Sequence, residues 1–200
     1  MRIKRFHARR WAAVAAAAAL GLTGVLTGAS AADASSGYYN HASARTSGWH
    51  RDSFDVAFQV RQTYSNVINA YNSADASSKN CTDCRGVAIA FQIVTDARTP
   101  KVVNAGNSAD STIVNCTDCD TVAVAYQFVV AKPTMLSWSD QAKLWRIDWE
   151  LQSLRWSGDS GPVIAAQVAG LANETASVLA NAGHGHWPMV HRYITFHQHH

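Results

Sequence analysis

The chain has 200 residues, 48% of them hydrophobic and 16% charged, a length that suits one domain with room for appendages. Its 17 basic and 14 acidic residues are unevenly placed: five of the basic ones and none of the acidic ones lie in residues 1–31. The remainder carries 17 − 5 = 12 basic against 14 acidic residues, a net of −2, which excludes the basic face that a nucleic-acid partner needs.

The start reads as an export signal. Arg2, Lys4, Arg5, Arg9 and Arg10 form a basic head, and Trp11 to Leu26 is an uncharged, Ala-rich run. Ala29-Ser30-Ala31 supplies the small-x-small pattern of a cleavage site. The residues after Arg9-Arg10 support a twin-arginine signal poorly, so the general secretory route is expected. The apolar run falls short of the ~20 residues of a membrane span, and no later segment is expected to make one. A signal peptide over 1–31 makes the protein secreted or cell-envelope associated.

Residues 32–52 are rich in Ala, Ser and Gly without periodicity, which predicts a disordered leader. A repeat β domain is expected over 53–133. Residues 67–94 align without gaps on 102–129, an offset of 35, with 17 of the 28 positions identical. Each copy has an Asn-rich part, Asn69 to Asp75 or Asn104 to Asp110. It continues into Asn-Cys-Thr-Asp-Cys at Asn80 to Cys84 or Asn115 to Cys119. An apolar segment follows. A partial copy without cysteines begins at 54, where Val56-Ala57-Phe58-Gln59-Val60 matches Ile89 to Ile93 and Val124 to Phe128.

Val87, Ile89, Phe91 and Ile93 alternate with Ala88, Ala90, Gln92 and Val94, and the second copy repeats the pattern. Period two with β-branched and aromatic residues predicts strands covered on both faces. The Asn-rich parts read as strands or ordered loops. About five strands are expected, in a mostly antiparallel sheet.

From Ser139 to Trp156, Leu144, Ile147, Leu151 and Leu154 recur at helical spacing beside a stripe of Trp138, Ala142, Trp145 and Trp149. Pro162 begins a second helix with Ile164, Val168, Leu171, Thr175 and Val178 on one face, ending near Asn181-Ala182-Gly183. An αα-hairpin within 134–183 should therefore cover the sheet, giving an α+β fold. Residues 184–200 hold six histidines and are expected to be a solvated tail. His184, His186, His197, His199 and His200 are a weak alternative metal site.

The twin Cys-x-x-Cys pairs, Cys81/Cys84 and Cys116/Cys119, allow three chemistries. Outside the cytosol, structural disulfides are the first expectation. Four thiolates could instead hold zinc. Redox catalysis needs a stabilised thiolate, and Asp83 and Asp118 between the cysteines oppose one. In a meander, an Asn-rich strand would separate equivalent cysteines by about 9–10 Å, leaving each pair to close locally. If the repeats lie side by side, cross-pairing and zinc both open up. Gly158-Asp159-Ser160-Gly161 is similar to the nucleophile segment of trypsin-like proteases, but Pro162 breaks the match and the segment joins two helices. Gln59, Gln92 and Gln127 recur on the Ala-rich face and suggest a hydrogen-bond ladder of structural glutamines.

The ordered set of Ala-Phe-Gln, two Cys-Thr-Asp-Cys units each leading into Val-Ala-x-Ala-[Phe/Tyr]-Gln, and a helical pair resembles an uncharacterised actinobacterial secreted family. Similar segments occur in extracytoplasmic parts of proteins labelled putative peptide zinc metalloproteases. The resemblance covers roughly residues 53–181 and implies no activity. The protease label belongs to a membrane-embedded part with His-Glu-x-x-His, absent from this chain, so no catalytic residue carries over. The reading is a non-enzymatic, disulfide-stapled binding or structural module, with no cofactor and with another envelope or secreted protein as the partner class. The alternative is a thiol–disulfide or metal-dependent accessory in export or peptide maturation.

Overall fold

A computed structural model describes residues 37–199 and contains seven strands and two α-helices, an α+β architecture. The expected signal peptide over 1–31 lies outside the described residues. Six strands alternate between two sheets: β1 (Tyr38–Ser47), β2 (Asp52–Thr63), β3 (Val67–Thr82), β4 (Arg85–Asp96), β5 (Val102–Thr117) and β6 (Cys119–Pro133). One sheet has the order β1-β3-β5. The other has the order β2-β4-β6-β7, where β7 is Met189–His199. Within the first six strands every pairing is parallel, and only β7 runs antiparallel, against β6.

The chain thus winds as a flattened coil of three turns. Coil one is β1 and β2, coil two is β3 and β4, and coil three is β5 and β6. The expectations of about five strands and a mostly antiparallel sheet are corrected here. The reason is the repeat. Each copy contributes one strand to each sheet, so identical segments lie beside one another, as Asn72↔Asn107 and Gln92↔Gln127. Antiparallel pairing of neighbours would have put unlike residues opposite each other.

Two further expectations fail. Of the leader expected over 32–52, residues 32–36 lie outside the described residues and Tyr38–Ser47 is strand β1, in register with β3 through Asn40↔Asn72, Ala42↔Ala74 and Ala44↔Ala76. The histidine tail is not a free appendage, because Met189–His199 pairs along β6.

Between the sheets lies a layer of small side chains: Ala42, Ala44, Ala74, Ala76, Ala88, Ala90, Ala123 and Ala125, all buried. Alanine brings the sheets close enough for side chains of one to reach carbonyls of the other. Asn72 Nδ2 donates to the Ala90 and Tyr126 carbonyls, at 3.1 and 3.0 Å. In the reverse direction, Gln127 Nε2 donates to Ala70 O and Gly106 O, both at 3.0 Å. Larger residues at the alanine positions would separate the sheets and strand these amides, at a cost of about 1–3 kcal/mol for each buried group left unpaired.

The outer face of the second sheet carries the bulky set Val87, Ile89, Phe91, Ile93, Val122, Val124, Tyr126 and Phe128. The helices α1 (Trp138–Ser153) and α2 (Gly161–Ala182) cover it with Leu144, Ile147, Leu151, Ile164, Val168 and Leu179. Phe91 is wholly buried, and truncating it to Ala would cost about 3–5 kcal/mol. A short 3-10 turn, Leu154–Trp156, ends the first helix. Ser137 caps α1: its Oγ accepts from Asp140 N, while the Asp140 carboxylate accepts from Ser137 N.

The start of α2 is capped from outside the helix. Ser160 holds the cap position with no side-chain cap hydrogen bond. Asp120 on β6 supplies the acceptor instead, taking the Gly161 N–H at 2.6 Å. A carboxylate there also favours the positive end of the helix dipole. By length and composition α2, 22 residues long, could cross a membrane, contrary to the expectation that no later segment would. Half of its apolar stretch is buried against the rest of the protein.

Candidate functional site: a buried four-cysteine cluster

The turns that pass from the first sheet to the second in coils two and three are the Asn-Cys-Thr-Asp-Cys segments. Asn80, Asp83, Asn115 and Asp118 all have φ between 51° and 55°. Asn and Asp tolerate this left-handed region better than other side chains. That explains why the motif holds Asn before the first cysteine and Asp before the second. The turn needs them for backbone shape. Successive turns are tied together: Asp83 N donates to Thr117 O at 3.0 Å, Asp120 N to Cys84 O at 2.8 Å, and Asn115 Nδ2 to Asn80 Oδ1 at 3.2 Å.

Because the coils are in register, Cys81 pairs directly with Cys116. The meander spacing of about 9–10 Å does not apply, since no strand of the same sheet intervenes. All four cysteines are buried in one cluster, with Ile113 packed against it. Cys81 and Cys84 are at disulfide-bonding distance, with Cα atoms 6.2 Å apart. Cys116 and Cys119 are not bonded to each other. Cys81 Sγ is 3.3 Å from Cys116 Sγ and 3.7 Å from Cys119 Sγ.

Burial pushes the Cys119 thiol above its ordinary range, and the neighbouring Cys116 raises it further. Cys116 Sγ donates to Val114 O, and Cys119 Sγ to Thr117 O, both at 3.5 Å. Coil one closes the cluster from one side without cysteines. Its turn, bridged at Ser47 and His50, puts Ser47 O within 3.8 Å of Cys84 Sγ.

The glutamines form the ladder their recurrence suggests. Gln127 Nε2 donates to Gln92 Oε1 at 2.8 Å, and Gln92 Nε2 to Gln59 Oε1 at 2.9 Å. A parallel asparagine ladder runs from Asn40 to Asn72 to Asn107, at 2.9 and 2.8 Å. Its first member was hidden in the sequence because coil one repeats at offsets of 32 and 33 (Tyr38↔Ala70, Asp52↔Arg85), not 35.

Among the described residues the histidines form no converging set. His197 Nδ1 lies 2.8 Å from Ser111 Oγ, and His184 sits in the left-handed region just past α2. His200 lies outside the described residues. Among the described residues, the one set of three or more metal-capable side chains whose ligand atoms converge is Cys81, Cys116 and Cys119, all within 4.8 Å. The Gly158-Asp159-Ser160-Gly161 segment is the link between helices. No family model, curated protein or solved structure matches the chain.

Proposed function

We propose that the chain is an exported, non-enzymatic module of the envelope or surroundings that holds a binding surface on a rigid coiled scaffold. What supports this reading is the outer face of α1. Trp138, Trp145, Trp149 and Trp156 are 72, 49, 69 and 81% exposed. Steps of 7 and 4 residues put Trp138, Trp145 and Trp149 on one side of α1, at 3.6 residues per turn, and Trp156 follows in the 3-10 turn that ends the helix. Trp138 and Trp145 meet edge to face at 5.4 Å. A row of exposed tryptophans serves no packing need, and such rings are the commonest anchors of protein interfaces. The opposite face of α1 is fixed by Leu144, Ile147 and Leu151 in the core, so the row is presented without an entropic cost of ordering the helix.

The partner class is another envelope or secreted protein. The test is to replace Trp145, Trp149 and Trp156 by Ser and compare fractionation of the expressed proteins between envelope and medium. Loss of envelope retention at unchanged thermal stability fits the reading. Unchanged retention rejects it.

One observation favours the alternative, a thiol–disulfide accessory: Cys116 Sγ lies 3.3 Å from Cys81 Sγ. A Cys116 thiolate attacking Cys81 would form a Cys81–Cys116 bond and release Cys84 as thiolate. Burial of all four sulfurs and the raised Cys119 thiol weigh against turnover with an outside substrate.

A further inference from the structure

We propose that Cys81, Cys84, Cys116 and Cys119 form a tetrathiolate site for one soft divalent cation of the zinc type, bound by the fully reduced chain in place of the Cys81–Cys84 disulfide. The argument starts from topology. Parallel, in-register coils bring two identical Cys-x-x-Cys turns onto the same spot, so four sulfurs converge from two layers of the fold. An ion with metal–sulfur bonds of about 2.3 Å needs tetrahedral vertices about 3.8 Å apart. Cys81 Sγ already stands 3.3 Å from Cys116 Sγ and 3.7 Å from Cys119 Sγ. Cys84 completes the set once it is not bonded to Cys81.

The donor set selects the ion. Converging ligand atoms are sulfur alone, with no carboxylate or imidazole among them. Thiolate donors suit zinc and disfavour magnesium, calcium and manganese. With all four cysteines buried, no vertex remains for water, which makes the site structural, not catalytic. The two sulfurs of each pair already lie together, Cys81 and Cys84 at bonding distance and Cys116 and Cys119 within 4.8 Å.

Loading from the tetrathiol state forms four metal–sulfur bonds and releases four protons to solvent. No oxidant or reductant takes part. The ion would fasten coil two to coil three, which a disulfide closed within one turn does not do. This goes beyond the scaffold reading and does not depend on it, since the Trp row lies on α1 and not at the turns.

The experiment uses the full chain purified with its thiols reduced, then loaded with Zn²⁺ or Co²⁺. One zinc per chain by elemental analysis is expected. Cobalt should give an intense near-ultraviolet thiolate charge-transfer band with the visible bands of tetrahedral coordination, abolished by added zinc. Cys84→Ser and Cys116→Ser should each lose most of the band, and His197→Ala should keep it. The proposal is overturned if the wild-type protein shows no charge-transfer band. It is equally overturned if reduction followed by metal loading still leaves two disulfides by intact mass, or if Cys81→Ser/Cys116→Ser binds metal undiminished. The wild-type spectrum decides the matter even where a variant fails to fold.

Discussion

The Asp55 carboxylate accepts a hydrogen bond from the Ser43 backbone N–H at 2.7 Å. In register, Asp55 occupies the place that Ala88 and Ala123 hold in the later coils. Those alanines pack in the layer of small side chains between the sheets. In coil one, β1 and β2 each have a single ladder partner among the described residues. Ser53 Oγ likewise accepts from Arg45 N at 3.1 Å, and Arg155 donates to Phe54 O at 2.9 Å. Three side chains thus occupy edge groups that would otherwise template another strand.

Replacing Asp55 by Ala, the residue of the other coils, should therefore not restore a better repeat. It should cost about 1.5–3 kcal/mol in denaturant unfolding, the range for a hydrogen bond to a charged acceptor. It should also promote concentration-dependent association in sedimentation velocity. A monomeric, equally stable Asp55→Ala protein would refute the edge-blocking role.

The asparagine ladder predicts a contrast between two equivalent-looking residues. Asn72 is buried and bonds to Ala90 O, Tyr126 O and Asn107 Oδ1. Asn104 bonds to Asn69 at an exposed position. Asn72→Ala should destabilise by about 2–3 kcal/mol, since it leaves partners dry and unpaired, whereas Asn104→Ala should stay within about 0.5 kcal/mol. Equal effects would show that the Asn-rich segments are solvated loops.

Asp120→Ala removes the acceptor at the start of α2 and should cost about 1–2 kcal/mol, as lost caps do. Ser160→Ala, at the nominal cap position, should cost little because its side chain makes no cap hydrogen bond. Chemical denaturation of the two variants side by side checks the order of the effects.

A pH dependence follows from Asp96. Its carboxyl is pushed above its ordinary value by burial, against the pull of the Arg98 and Ser65 N–H groups. A folded-state acid that holds its proton more tightly than the unfolded chain contributes stability at low pH and loses it as pH rises through its folded value. Wild type should therefore lose stability relative to Asp96→Asn as pH rises from about 4, the unperturbed range for Asp. Parallel stability–pH curves for the two proteins would contradict this.

The helices were legible because their apolar spacing is local: Pro162 and the Leu144 series need no knowledge of partners. The strands β4 and β6 were legible for the same reason. Their pairing was not. Period two shows which face a residue takes but not which strand lies beside it, and a repeat of 35 is compatible with both a meander and a coil. Strand β1 was missed because Tyr38 to Ser47 is poor in β-branched residues. Its strand character comes from Asn40, Ala42 and Ala44 matching Asn72, Ala74 and Ala76 across the ladder. Strand β7 was masked by its histidines, which the composition assigns to solvent. The cysteines were visible, but the convergence of all four required the register. Asp83 and Asp118 were weighed as charges, whereas the turn uses their tolerance of positive φ.

Side-by-side stacking of the coils underlies the cysteine cluster, both amide ladders and the blocked edge. Nuclear Overhauser contacts between strand residues test it most directly. Stacking predicts contacts at a constant offset, with Ala90 near Ala125, Ala74 near Ala109 and Cys81 near Cys116, each 35 residues apart. A meander would instead give contacts mirrored about each turn, linking residues whose numbers have a constant sum, and that pattern would contradict the account.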